Sequence, residues 1–156
     1  MGSESVEVIA LASELGLTIA TAESLTGGKV CEALVEVPGA SRVVRGGVVA
    51  YVVEVKHDVL GVAQDVLDTL GPVSEPVALA MARGARRVMG ADVAVATTGV
   101  AGPEPHGGQA PGTVVIAVVG PQSETVTTLH LDGDRDDIRR ETARLALVEL
   151  RALLAS

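Results

Sequence analysis

A chain of 156 residues has room for one domain with a sizeable core, and its formal net charge of −8 repels the phosphate backbone that nucleic-acid binders neutralise with Lys and Arg. Hydrophobic residues make up 47% of it, yet Tyr51 is the only aromatic, so the core must be built from Val, Ala, Leu and Ile and offers no stacking platform for bases. No nucleic-acid partner is expected; no apolar run approaches the roughly 18–20 residues of a membrane span, and MGSESVEV has neither the basic nor the apolar part of a signal peptide, so a cytoplasmic protein with no membrane partner is predicted.

Val8, Leu11, Ala12 and Leu15 recur at helical spacing and Gly16 supplies a stop, which predicts an opening amphipathic helix. A buried strand over 17–22 follows, then the stretch ESLTGG, then a short helix to about Glu36. The lone cysteine, Cys31, falls on that helix beside Val30 and Leu34 and reads as packing; it excludes an internal disulfide. VPGAS, 37–41, is a turn by its Pro-Gly pair, and the β-branched run GGVVAYVVE, 46–54, predicts a second buried strand.

One or two short helical segments lie between Val55 and Gly71, with turns near Gly61 and Gly71. Ser74 is placed to cap a longer helix with Val77, Met81, Gly84 and Val88 inside and Arg83, Arg86 and Arg87 outside. DVAVATT is a third buried strand, ending in a Gly/Pro-rich loop from Gly99 to Gly112. Strands near 113–119 and 125–131 joined by GPQS read as a hairpin. The last helix, about 134–154, buries Ala143, Leu147, Leu150 and Leu154 and turns Arg140, Arg144 and Arg151 to another face. The sum is an α/β fold: a single three-layer α/β/α domain, 1–156, with a mixed, mostly parallel central sheet.

Two loops, ESLTGG and TGVAGPEPHGG, leave the carboxyl ends of buried strands, where open α/β sheets bind ligands. If those strands are neighbours, both loops face one cleft. Gly27 and Gly28 let the backbone approach a ligand, and N–H groups at the following helix start can receive an anion or a developing oxyanion. Gly28-Lys29 resembles the end of a phosphate-binding P-loop, but no glycine stands between Leu17 and Leu25 and Val30 replaces the magnesium-holding hydroxyl.

A serine nucleophile fits better, since a hydroxyl at a strand-to-helix turn is exposed beside backbone donors. It requires a base. His57, His106 and His130 are far apart in sequence and in no metal-ligand spacing, so neither a histidine partner nor a metal is expected. Against ten arginines stand two lysines, and only a lysine can be held neutral by burial and take a serine proton. Lys56, beyond a very apolar strand, is better placed than Lys29, which reads as a solvated helix residue. The competing reading makes Ser24 a helix-start cap and Lys56 a surface charge.

TAESLTGG, VPGASRVVRGGVVAY followed by Lys56, LGV, GPVSEPVALAMARGA, ATTGVAGP and LDGDRDDIRRETARLAL, in that order, resemble the CinA C-terminal domain family over roughly Val6 to Leu154. Its stand-alone members include nicotinamide mononucleotide deamidase. The resemblance implies a self-associating α/β/α domain that hydrolyses the mononucleotide's carboxamide to nicotinate mononucleotide and ammonia, with no metal and no cofactor. It also implies Ser24 as nucleophile, Lys56 as base and Tyr51 as a third catalytic residue. Thr26, Gly27 and Gly28 are expected around the oxyanion, and Thr98, Gly99, Ala101, Gly102 and Arg140 around the nucleotide, Arg140 on its phosphate. Three positions depart from the family pattern: Leu25 for Cys, Val52-Val53 for Ser-Asn, and APGT at 110–113 for PVGT. The alternatives are a catalytically silent pyridine-nucleotide-binding domain of the same fold and, against the charge, a DNA-uptake accessory.

Overall fold

The computed structural model describes residues 2–156. Helix α1 (Ser3–Leu15) leads through Gly16 into β1 (Ile19–Glu23), followed by α2 (Lys29–Val35), a 3₁₀ turn (Ala40–Arg42) and β2 (Val44–Val49). Three helices come next, α3 (Val53–Asp58), α4 (Gln64–Leu70) and α5 (Glu75–Met89), then β3 (Val93–Gly99), β4 (Thr113–Val119), β5 (Glu124–His130) and α6 (Arg135–Ala155). The sheet order is β2-β1-β3-β4-β5, with β1 parallel to β2 and β3, and antiparallel pairing from β3 through β4 to β5. The fold is the mixed α/β sheet that the sequence predicts, and β1 and β3 are indeed neighbours.

The sheet separates two apolar cores. On one side Val77, Ala78, Met81, Ala82 and Ala85 of α5 pack on Ala20, Ala22, Ala94, Ala96 and Ala117. On the other, Val8, Ile9 and Ala12 of α1, Val30 and Leu34 of α2, and Leu147 and Leu150 of α6 pack on Ile19, Val95, Ile116 and Val118. Alternation of small and branched residues along β1, β3 and β4 explains the arrangement: the alanine face lets α5 sit close, and the branched face fills the space under α1 and α6.

Three sequence expectations are corrected. The run 46–54 is not one strand: β2 ends at Val49, and Val53 opens α3. β-branching favours a strand only where a partner strand continues. After Ala50 N–H donates to Glu23 O, β1 turns at Ser24, whose N–H goes to Thr97 O of β3, and β2 has no neighbour left. Val88 is not part of α5's inner face, being 47% exposed, because Met89 fills the last position over the sheet and reaches Gly46. Ser74 stands at the N-cap of α5, but its hydroxyl donates back to Gly71 O instead of capping.

Gly84 lets α5 touch the segment after α3. A Cβ there would lie 2.1 Å from Leu60 O, a backbone atom that cannot swing aside. Gly84→Ala is therefore expected to destabilise the fold by about 1–3 kcal/mol despite alanine's better helix propensity, read as a lower denaturation midpoint with an unchanged slope. An unchanged midpoint would mean that α5 and Leu60 separate freely. The contact bears on the site as well, since Val62 N–H closes onto Lys56 O in α3.

Candidate active site

The site forms where β1 and β3 end side by side. Ser24 follows β1 directly and is 7% exposed. Behind it, Glu23 is buried, and its carboxylate accepts from Gly28 N–H (3.2 Å), Val30 N–H (2.9 Å) and Cys31 N–H (3.0 Å). One side chain thus satisfies three donors at the start of α2 and fixes the loop that carries the serine. Gly27 and Gly28 have φ of +60° and +105°, which only glycine adopts without strain, and they bend the chain back toward that carboxylate.

Lys56 reaches the serine from α3. Although only 2% exposed, it donates through Nζ to Ser24 Oγ at 2.9 Å, Ala50 O at 2.8 Å and Tyr51 O at 3.2 Å. Burial lowers its pKa to about 8, so roughly a tenth of the molecules carry a neutral amine at pH 7. In that form the two remaining N–H bonds stay on the two carbonyls, and the lone pair faces the serine hydroxyl. The pair is no accident of two surface residues meeting: a buried amine aimed by two backbone oxygens is what a proton acceptor for Ser24 requires.

The pair opens into a cleft of about 590 Å³, within the range of small-ligand sites. Its walls come from Leu25, from Tyr51 to Glu54, from Pro72 and Val73, from Thr98 to His106, and from Arg135. Thr98, Gly99, Ala101 and Gly102 are therefore together with Ser24, Lys56 and Tyr51, and Thr98 Oγ1 donates to Pro72 O at 2.7 Å to hold the two loops together. The tyrosine lies at the mouth, 58% exposed; it gives its carbonyl to Lys56 and its hydroxyl to Arg135.

Other expected site residues stand elsewhere. Thr26 is fully buried with its hydroxyl 2.8 Å from Thr97 Oγ1, outside the cleft wall. The Gly27 and Gly28 amides are already engaged, the first with Ser24 O and the second with Glu23 Oε1, so they cannot serve an oxyanion. The amide of Leu25, which follows Ser24 and lines the cleft, has no acceptor among the described residues and replaces them as the candidate donor. Arg140 is outside the cleft and pairs with Asp136 at 2.8 Å and Asp137 at 3.4 Å; Arg135 is the arginine that lines it.

Two participants escape sequence reasoning. Glu23 reads as an ordinary strand end, and no local capping rule points to it, because its carboxylate reaches helix-start amides 5–8 residues further along the chain. Arg135 is hidden among the arginines of the last helix. Among the described residues no group of three or more His, Cys, Asp or Glu side chains is arranged to hold a metal ion, and no helix is long and apolar enough to cross a membrane.

Comparison with known proteins agrees with this fold. The CinA C-terminal domain family model matches residues 3–154. A CinA-like protein of Mycobacterium avium is 49% identical over 145 residues, 89% of this chain and 33% of the relative. A CinA-like protein of Frankia casuarinae is 43% identical over 148 residues, 95% of this chain and 34% of the relative. The chain thus spans about a third of the length of these curated relatives. Among solved structures, a competence-damaged protein (CinA) superfamily protein of Klebsiella pneumoniae superposes with a TM-score of 0.93 at 31% identity, covering 97% of this chain and 96% of the other. The competence/damage inducible protein CihA of Agrobacterium tumefaciens gives 0.91 at 38% identity, with 100% and 98% covered.

Proposed function

We propose an amidohydrolase activity for this chain, which belongs to the CinA C-terminal domain family. The substrate we assign is nicotinamide mononucleotide, and the observation that carries the reading is the buried Lys56 Nζ at 2.9 Å from Ser24 Oγ. In the proposed reaction Ser24 Oγ attacks the carboxamide carbon as its proton passes to neutral Lys56. The oxyanion is met by the Leu25 amide, a donor whose grip strengthens as charge develops. Collapse breaks the C–N bond, the lysine ammonium returns its proton to the leaving amide nitrogen, and ammonia departs. Water then attacks the acyl-serine, Lys56 again taking the proton, and nicotinate mononucleotide leaves with the serine restored. Ammonia release on mixing the purified protein with the mononucleotide tests the assignment.

One observation favours a second reading. Val52 and Val53 put apolar side chains on the cleft wall beside Lys56, where the family pattern has Ser-Asn, and valine can neither donate to nor accept from a carboxamide. A lost hydrogen bond of this kind costs about 0.5–1.5 kcal/mol, so turnover roughly ten-fold below that of an asparagine-bearing site is expected. Val53→Asn, with Val52→Ser, is predicted to raise turnover of nicotinamide mononucleotide by about that factor. If parent and double variant both fold and neither releases ammonia, the enzyme reading gives way to a silent pyridine-nucleotide-binding domain.

A further inference from the structure

We infer that Arg139 is a positioning residue for acyl transfer to Ser24: from outside the cleft it locks the turn after Ser24, so that the Leu25 amide is held ready for the oxyanion. Ser24 to Gly27 form that turn, closed by Gly27 N–H donating to Ser24 O at 3.1 Å. In such a turn the middle peptide is the soft element, because it can rotate between its two flanking Cα atoms while the closing bond survives. Its carbonyl here is Leu25 O. Arg139, in the second turn of α6, donates to that oxygen through Nε at 2.8 Å.

The grip has two further parts. A Cβ at Gly27 would lie 3.1 Å from Arg139 NH2, so the guanidinium lies against the same turn. The neighbouring Ile138 packs with Ala101 and Val114 around the Leu25 side chain, which is only 4% exposed. Helix α6 thus holds Leu25 by its side chain and by its carbonyl, and the N–H that remains is the one left without an acceptor among the described residues. A donor fixed in advance meets a developing oxyanion without reorganising.

Arg140, Arg144 and Arg151, further along the helix, each face a carboxylate, whereas Arg139 is given to a backbone oxygen of the turn. Arg139 is outside the cleft wall, so its effect should fall on the chemical step and not on binding. The inference rests on the proposed Ser24 nucleophile; the mononucleotide as substrate enters only the first of two measurements.

In ammonia release from nicotinamide mononucleotide, Arg139→Met should lower kcat by about 10- to 100-fold, less than the roughly 10²–10³-fold cost of removing an oxyanion donor outright. KM should stay within about two-fold, as should the calorimetric affinity of the mononucleotide when Arg139→Met is added to Ser24→Ala protein. The midpoint of the pH profile should not move, since Lys56 keeps its three contacts. Arg139→Lys restores a donor and should recover part of the lost rate, and Arg144→Met, on the same helix, should match the parent. Arg139→Gln, which shortens the reach to Leu25 O, gives the same reading if Arg139→Met does not fold. A parental kcat in the folded variant, a mononucleotide affinity that falls as far as kcat does, or a shifted pH midpoint overturns the inference.

The second measurement is nitrophenolate release from p-nitrophenyl acetate, taken as parent minus Ser24→Ala. Here Ser24 Oγ bonds the acetyl carbon, its proton passes to Lys56, and the C–O bond breaks with its electron pair leaving on nitrophenolate. Arg139→Met should lower that release by about ten-fold or more. Parent protein that releases no ammonia yet shows this Arg139-dependent acyl transfer would overturn the amidohydrolase reading and leave the inference standing. Equal release by parent and Ser24→Ala overturns the inference.

Discussion

Ser24→Ala is expected to fold as the parent does and to lose deamidation by about 10³-fold or more, the scale on which removal of a hydroxyl nucleophile acts. The fold should tolerate the change because Lys56 keeps its contacts to Ala50 O and Tyr51 O, and because the loop is held by the Glu23 carboxylate and by Ser24's own backbone N–H, none of which alanine disturbs. No neighbour can stand in. The Thr26 hydroxyl is buried against Thr97, and Ser41 is exposed in the 3₁₀ turn, outside the cleft wall. Cys31 lies on α2, also outside the wall, with burial raising its pKa and so suppressing the reactive thiolate. Ammonia release by matched, circular-dichroism-checked samples decides it: a variant retaining a tenth of the parent rate would show that another group attacks.

The residues behind this prediction are legible in the amino-acid sequence, because each needs only its type and its place in the layer order. A serine after a buried strand and one of only two lysines beyond the next are candidates by chemistry, and parallel neighbours β1 and β3 put their loops in one cleft. Orientation is not legible in the same way. Arg135 and Arg140 are five residues apart on one helix, about 140° around its axis, so one reaches the cleft and the other faces its own helix's carboxylates. Periodicity ranks faces, but which polar face meets a loop depends on where the helix docks. The glycine amides fail as oxyanion donors for a related reason. Gly27 and Gly28 do sit at the turn beside Ser24, yet the acceptors that occupy their N–H groups are Ser24 O and the buried Glu23 carboxylate, a tertiary fact.

The valine run shows the same dependence in reverse: strand propensity in 46–54 holds as far as Val49, and pairing geometry ends it. That early ending matters, because a strand continuing through Glu54 would point alternate side chains to opposite faces and leave Lys56 without a defined approach to Ser24. As part of α3, the lysine is one turn from Val53 and directed back across the chain at Ala50 and Tyr51. Helix geometry converts an apolar approach segment into a wall and brings Lys56 over it to Ser24.

Lys56 carries the second large effect, and its sign can be worked out for activity and stability together. In the proposed reaction the proton acceptor is the neutral amine, so kcat/KM should rise with pH and level off above about 8, to which burial lowers the lysine. Lys56→Arg keeps a positive charge that cannot be given up and should cost about 10²–10⁴ in rate at every pH; parental turnover by that variant would reduce Lys56 to an electrostatic role. Stability follows from the same shift. With a folded pKa of about 8 against an ordinary 10.5, the folded protein binds fewer protons than the unfolded chain between those values, so stability rises with pH across that window. Below pH 8 the burial penalty is fully present, on the order of 3 kcal/mol by the shift alone. Lys56→Met removes it but leaves Ala50 O and Tyr51 O without their donor, a loss of about 1–3 kcal/mol for each carbonyl, so the two changes nearly offset at neutral pH. The informative quantity is therefore the slope. Denaturation midpoints of parent and Lys56→Met followed from pH 7 to 10 should diverge in the parent's favour as pH rises, and parallel curves would mean that the lysine titrates as an ordinary one and that no neutral base waits beside Ser24.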